Sequence, residues 1–345
     1  MAFFMPVQIM SQNLITKSNP ELPFIKTNVN GNTLDSKGRF VNQYHVFEPK
    51  TSDLWKWQTE KNPQKALKKK GDSGLILNPD SAFLHSQTDG MLWLGHACFL
   101  IRINGVTIIT DPVLGDAGPV KRRSKLPFEI SDLKGIDFIL ISHDHRDHCD
   151  KKSLKALIKI NPKVSILTGL YMKPLLQSWL GNQIPIQEAA WYQTYSQNVL
   201  TKAGINISFM PSRHWSKRGL FDTNKRLWGG FMFQSNTTNI YFSGDTGYDL
   251  HLKEVGDLFA KIDYCIIGVG AYKPEWFMSS NHISPTDAYK AFNEMGAIKM
   301  IPMHFGTFDL SDEPMLEPQY ILSDFQKNDN NILLPALGEA ILFKQ

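Results

Sequence analysis

The apolar run Asp137-Phe138-Ile139-Leu140-Ile141-Ser142 leads without a break into His143-Asp144-His145-Arg146-Asp147-His148-Cys149-Asp150. The first part is the kind of short strand that a sheet covered on both faces buries. The second part then falls on a loop at the strand's C-terminal end, the edge that carries the chemistry in layered α/β proteins. Three imidazoles interleaved with carboxylates on one tight loop match the ligand set that Zn2+ accepts. His143 and His145 can face one cation while Asp147 and His148 turn to another. A solvated loop with idle histidines accounts poorly for that density. A structural single-zinc site is weakened by the cysteines, because Cys98, Cys149 and Cys265 lie far apart with no Cys-x-x-Cys spacing.

Two cations need more ligands than one loop supplies, and the chain offers them at equivalent places. Ile205 to Met210 reads as a strand followed by Pro211-Ser212-Arg213-His214. Asn239 to Ser243 is another, followed by Gly244-Asp245-Thr246-Gly247, and Lys299 to Met303 runs into His304-Phe305-Gly306-Thr307. Each brings a candidate ligand to a strand end, with Gly or Pro nearby to let the backbone turn. The pattern predicts an α/β (α+β) chain whose metal ligands converge from four strand ends.

Taken in order, HDHRDH, SRHW, SGDTG and MHFGT resemble the metallo-β-lactamase superfamily. The flanking text is similar to the N-acyl-phosphatidylethanolamine-hydrolysing phospholipase D family: WLGHA from Trp93, TDP from Thr110, SRHWSKRGLFDTNKRLWGG from Ser212, GAYKPEWFM from Gly270 and HFGTF from His304. This resemblance runs from about Gly38 to near the C-terminus. It implies a four-layered αββα sandwich holding two Zn2+ per chain. One zinc is then held by His143, His145 and His214, the other by Asp147, His148 and His304, with Asp245 bridging both. Two such ions, about 3.5 to 4 Å apart, activate water and clamp the attacking and leaving oxygens of an in-line displacement. Asp147, Asp245 and His282 are the implied catalytic residues, with His282 near the leaving group. The implied reaction is zinc-dependent hydrolysis of N-acyl-phosphatidylethanolamine to N-acylethanolamine and phosphatidic acid, a phospholipase D reaction. A lactonase, a small-phosphodiester hydrolase or a nuclease of the same superfamily is the alternative. The net charge is only +4 and shows no basic and aromatic interleaving, so nucleic acid is not the expected partner.

Other roles follow less directly. Asp111 in TDP reads either as an acceptor that fixes the tautomer of a ligand histidine or as a turn Asp before Pro. His96 and His282 are candidates for touching substrate oxygens, with a hydrogen-bonded structural histidine as the alternative. Leu175, Leu176, Trp179 and Leu180 share a helical face that suits either a lipid headgroup layer, with Trp179 at the substrate, or the core. The basic clusters Lys65 to Lys70 and Lys121 to Lys125 can attract an anionic membrane or remain solvated.

Organisation along the chain is simpler. Residues 1–90, rich in Asn, Lys, Pro and Gln, read as an extended arm packed on a hydrolase domain spanning 91–345. Asn104-Gly105 predicts a hairpin joining Phe99 to Ile103 with Val106 to Thr110. Ser153 to Ile160 reads as a helix, and Ser284-Pro285-Thr286-Asp287 opens another with an N-cap, a first-turn Pro and an acid. No stretch approaches the roughly 20 apolar residues of a membrane span. The N-terminus has no basic start or small-residue cleavage site, which predicts cytoplasmic residence with peripheral membrane contact at most. Three scattered cysteines agree with a reducing compartment. The sequence is compatible with a monomer or a homo-oligomer.

Overall fold

Along Phe138–Ile141 the side chains alternate between two apolar layers: Phe138 and Leu140 enter one core, Ile139 and Ile141 another. A strand with apolar cover on both faces has no solvent side, which is why its sequence is an unbroken apolar run. This is a computed structural model, and it describes residues 15–42, 44, 50–70 and 74–343. The start of the N-terminal stretch read above for a targeting signal, up to residue 14, lies outside the described residues.

The strands are, in chain order, β1 (Ile15–Lys17), β2 (Asn32–Leu34), β3 (Gly90–Gly95), β4 (Cys98–Ile103) and β5 (Val106–Thr110). Next come β6 (Phe138–Ile141), β7 (Ser165–Gly169), β8 (Ile186–Ala189), β9 (Gln193–Thr194) and β10 (Asn206–Met210). The rest are β11 (Gly230–Gln234), β12 (Asn239–Phe242), β13 (Tyr264–Gly268), β14 (Lys299–Met303) and β15 (Ala340–Leu342). Among the described residues they form a small β1–β2 ribbon and two large mixed sheets, ordered β15-β3-β4-β5-β6-β7-β8 and β14-β13-β12-β11-β10-β9. In the first sheet β5 through β8 run parallel, and in the second β12 through β14 do. The predicted hairpin is β4–β5, with Asn104 and Gly105 both at positive φ, 49° and 77°, as a two-residue primed turn requires.

One core fills the space between the sheets, where Phe99 of the first meets Phe242 of the second with ring centroids 6.5 Å apart. Helices cover the outer faces. The arm carries α1 (Thr51–Thr59), α2 (Lys65–Lys69) and α3 (Ser81–Leu84). On the first sheet lie α4 (Lys151–Ile160) and α5 (Lys173–Leu180), which bury Leu154, Leu157 and Leu176 against it. After α6 (Asn198–Ala203), the second sheet is covered by α7 (Leu250–Leu258) and, beyond the short α8 (Glu275–Met278), by α9 (Pro285–Met295). The order helix, sheet, sheet, helix is the four-layered αββα sandwich. The N-cap of α9 forms as its sequence predicts, with the Ser284 hydroxyl accepting the Asp287 N–H at 3.1 Å.

The described part of the first 90 residues lies on this body. Phe40 is buried in the central core, the Asn42 amide donates to the His214 carbonyl at 3.0 Å, and Leu77 pairs with Leu337.

Candidate metal centre and substrate cavity

The C-terminal ends of β5, β6, β12 and β14, with those of β3 and β10, deliver Asp111, the His143 to His148 loop, Asp245, His304, His96 and His214 to one edge of the sandwich. The turn at Gly244 shows why this needs special backbone. Its φ is +58°, and a Cβ there would sit 2.4 Å from the Gly229 carbonyl oxygen. Asp245 therefore emerges from a turn that glycine makes possible.

Two sets of ligand atoms converge. In one, the His145 Nδ1 lies 2.9 Å from His143 Nε2 and 3.1 Å from His214 Nε2, with Asp245 Oδ2 3.8 Å and 3.7 Å from those two Nε2 atoms. In the other, His148 Nε2 and His304 Nε2 are each 3.1 Å from Asp245 Oδ2, and 3.5 Å and 3.4 Å from Asp147 Oδ2. A tetrahedral cation with bonds of about 2.0 to 2.1 Å, as zinc has, spaces its ligand atoms about 3.3 Å apart. The second set has those edges. His148 Nε2, His304 Nε2 and Asp245 Oδ1 are buried and none is aligned for a hydrogen bond, an arrangement costly for protein alone and natural for metal ligands. The clustered residues could hold metal, and Asp245 Oδ2 lies near the nitrogens of both sets.

Electrostatics agree. Burial, reinforced by neighbouring imidazoles, holds His143 well below its usual pKa, in the neutral form a metal needs. Burial also penalises the charged forms of His148 and His304, but the Asp245 and Asp147 carboxylates outweigh it, raising His148 well above 6.5 and His304 to about 9. Two buried carboxylates thus demand positive charge at this spot.

The outer nitrogens of the ligand rings are tied down. His148 Nδ1 donates to Asp111 Oδ2 at 2.8 Å. The Ser142 hydroxyl donates to the same carboxylate at 2.6 Å and accepts from His143 Nδ1 at 2.9 Å. His214 Nδ1 donates to the Asn281 carbonyl at 3.0 Å. Each bond leaves Nε2 free to face the centre. Ser142 and Asn281 escape sequence reasoning, one as an ordinary strand-end serine and the other because only its backbone acts. Buried Asp144, paired with Arg226 and accepting the Lys217 N–H, also escapes; it anchors the 216–226 loop to the metal loop.

Above the ligands opens a cavity of about 920 Å3. His145, Asp147, Asp245 and His282 line it at the ligand end, and its lining also includes the apolar Leu54, Trp57, Phe277 and Met278 and the basic Lys37, Arg39, Lys50, Arg146 and Lys217. His282 projects over the centre, with Nδ1 3.9 Å from Asp245 Oδ2. Burial lowers its pKa to about 4. The arm supplies much of the wall, through α1 and the segment from Asp35 to Asn42.

Two expected substrate contacts are not brought to this cavity. His96 is 2% exposed and sits behind Asp147 and His304. Trp179 packs with Leu180 against the outer core, its ring under the Arg218 guanidinium at 4.8 Å. The amphipathic face of α5 is therefore core-facing, with Leu176 fully buried. Of the basic clusters, Lys121 pairs with Asp116, and Arg122 turns inward to the carbonyls of Leu94, Val113 and Ser124. Lys68 reaches Asp309 and the Ser311 carbonyl.

Residues 106–305 match the β-lactamase superfamily domain. The chain belongs to that superfamily, and with the His/Asp clusters just described and the relatives below it is a metal-dependent hydrolase. Within it, the chain is 36% identical to N-acyl-phosphatidylethanolamine-hydrolyzing phospholipase D 1 of Caenorhabditis elegans, over 66% of this chain and 67% of that one. It is 32% identical to the mitochondrial enzyme of the same name from Saccharomyces cerevisiae, over 73% of this chain. That match spans only 55% of the yeast protein, so the chain covers about half of that relative's length. The isothiocyanate hydrolase from Delia radicum gut bacteria shares the fold, with a TM-score of 0.59 at 17% identity over 74% of this chain and 98% of that one.

Proposed function

We propose that the protein is a zinc-dependent phosphodiesterase of phospholipase D type, cleaving N-acyl-phosphatidylethanolamine into N-acylethanolamine and phosphatidic acid. The observation that carries this reading is the pairing of a His/Asp ligand set with a cavity lined by both basic and apolar side chains. A phosphodiester with an acyl tail presents the complementary chemistry. At about 920 Å3 the cavity is at the upper end of ordinary small-molecule sites, so a lipid with three acyl chains enters with part of its tails still in the bilayer.

His143, His145 and His214 would hold one Zn2+ and Asp147, His148 and His304 the other, with Asp245 shared. When bound, such ions would supply Lewis-acid charge and lower the pKa of a coordinated water. Lys217, Arg146 and Lys37 draw the phosphate anion to the ligand end. The apolar Trp57, Phe277 and Met278 seat the acyl chain and exclude water. His282 stands over Asp245, and the neutral imidazole that its lowered pKa implies could take a proton from the attacking water and pass it to the leaving alkoxide. From the arm, the segment from Asp35 to Asn42 and the residues Lys50, Leu54 and Trp57 complete this cavity.

The lipid surface is met by the cavity mouth and not by α5. Leu220 and Phe221, 82% and 93% exposed, tip the loop whose base contributes Lys217, Thr223 and Asn224 to the cavity. Trp55 and Trp276 are exposed on the α1 and α8 side of the same mouth. Apolar tips among Lys217, Arg218 and Lys225 suit an anionic headgroup layer. Among the described residues no helix is long and apolar enough to cross a membrane; in this reading the protein approaches the lipid peripherally, from the cytoplasmic side. The test is purified protein assayed on N-acyl-phosphatidylethanolamine, a cyclic nucleotide, RNA and an acyl lactone, with and without chelator. Chelator-sensitive release of N-acylethanolamine alone supports the reading; turnover of the lactone or RNA with none of the lipid removes it.

A further inference from the structure

The side chain of His96 meets one carboxylate among the described residues: its Nε2 lies 3.0 Å from Asp147 Oδ2. That oxygen is also the one facing His148 Nε2 and His304 Nε2 at 3.5 Å and 3.4 Å, so it is the metal-facing oxygen of Asp147. His96 could be a ligand itself, since its donor atom falls in the same cluster. The distances argue otherwise. The two ligand imidazoles of this site each stand within 3.5 Å of both Asp147 and Asp245, whereas the His96 contact is with Asp147 alone. His96 thus lacks the second carboxylate contact that both ligand imidazoles make, and stands at hydrogen-bond distance from Asp147 Oδ2.

The backbone is arranged to keep it there. His96 has φ of +55°, a left-handed conformation that a residue with a Cβ seldom adopts. Three bonds hold it. Its N–H donates to the Thr307 hydroxyl at 2.8 Å, and its carbonyl accepts from Trp93 Nε1 at 2.9 Å and from the His304 N–H at 3.2 Å. The preceding Gly95 leaves no room for a Cβ, which would lie 2.5 Å from Arg122 Nη2. The centroid of the imidazole lies 4.0 Å from that of His304 and 5.0 Å from that of Phe308, the latter pair edge-on. Such strain, held by several bonds in a buried place, is found where a side chain has a task.

We propose that His96 is a positioning residue for the second metal site: Nε2–H donates to Asp147 Oδ2, leaving that oxygen's other lone pair to the cation and making Asp147 a one-oxygen ligand. Through its carbonyl the same residue steadies His304, so one buried histidine sets two of the four ligands. This inference rests on the metal-centre half of the proposed function and is independent of the substrate.

Its test compares His96→Gln, whose amide can donate from nearly the same point, with His96→Met, of similar length and unable to donate. Both are purified as holoenzyme, checked by circular dichroism and melting, then dialysed against a weak chelator before elemental analysis and metal-competition titration. Expected is a second ion bound about 10- to 100-fold more weakly in the Met variant, the first ion unchanged, and near wild-type binding in the Gln variant. Full retention of both ions by the Met variant overturns the proposal. So does a defect common to both variants, unfolding included, because they differ in the donor. A raised KM with metal content intact would return His96 to substrate contact and also overturn it. Wild-type protein that carries two ions but leaves N-acyl-phosphatidylethanolamine uncleaved would remove the proposed substrate while leaving this inference standing.

Discussion

Asp245 Oδ2 stands within 3.9 Å of nitrogens from five imidazoles, those of His143, His148, His214, His282 and His304. Its charge serves both halves of the centre, so Asp245→Asn should cost more activity than loss of any outer ligand, whereas His304→Ala should mainly loosen the second ion. Activity within roughly tenfold of wild type in Asp245→Asn, a barrier change of only about 1.4 kcal/mol, would contradict the shared role. A second residue-scale prediction concerns His251, fully buried on α7 with Nε2 2.7 Å from the Thr246 hydroxyl. Burial, then the nearby Arg213 charge, lowers its pKa to about 3. The folded state therefore refuses a proton that the unfolded chain accepts below about 6.5, and stability present above that pH is lost as pH falls toward 3. Between pH 7 and 5 this one group should cost about 2 kcal/mol. His251→Gln should shrink the pH 7 to pH 5 difference in unfolding midpoint; an unchanged difference would mean that the imidazole titrates normally. At this scale the sequence was legible where a residue type has one good use, as for histidines and aspartates at strand ends. It was not legible for Ser142, the Asn281 carbonyl or the placement of His96, because nothing in the residue identity tells which side of a ligand it will occupy.

Elements were legible when a local signal sufficed. Asn104-Gly105 has the positive φ values that its turn demands, and the Ser284 cap closes on Asp287. The α5 face could not be decided from its pattern, because a stripe meeting lipid and a stripe meeting core look alike until the sheet beneath is placed. In the fold Leu176 and the half-buried Trp179 close the outer layer over β7 and β8. Trp179→Ala should therefore lower the melting temperature, with about 2 kcal/mol lost from apolar contact and from the Arg218 cation over its ring, and leave vesicle binding unchanged. Weaker vesicle binding at unchanged stability would return α5 to the membrane.

For the whole molecule, the αββα layering was legible from four ligand loops and their family resemblance, but the cavity was not. Its walls are assembled from the arm, the 216–226 loop and α8, segments distant in sequence and without periodicity. Leu220 and Phe221 at the mouth are 82% and 93% exposed, and the proposed reading sets them against the lipid. Leu220→Ser with Phe221→Ser should weaken binding to anionic vesicles and slow turnover of vesicle-borne substrate, with an unchanged rate on a short-chain soluble phosphodiester and an unchanged melting temperature. Equal rates on vesicles before and after the change would place lipid entry elsewhere.

In the proposed reaction water attacks phosphorus at the metal centre. Hydrolysis of N-acyl-phosphatidylethanolamine in 18O-labelled water, with both products weighed by mass spectrometry, reads that step directly. One 18O should appear in the phosphate of phosphatidic acid and none in the N-acylethanolamine, and chelator should abolish both products. Label in the N-acylethanolamine hydroxyl, or no phosphatidic acid from metal-loaded enzyme, would contradict it.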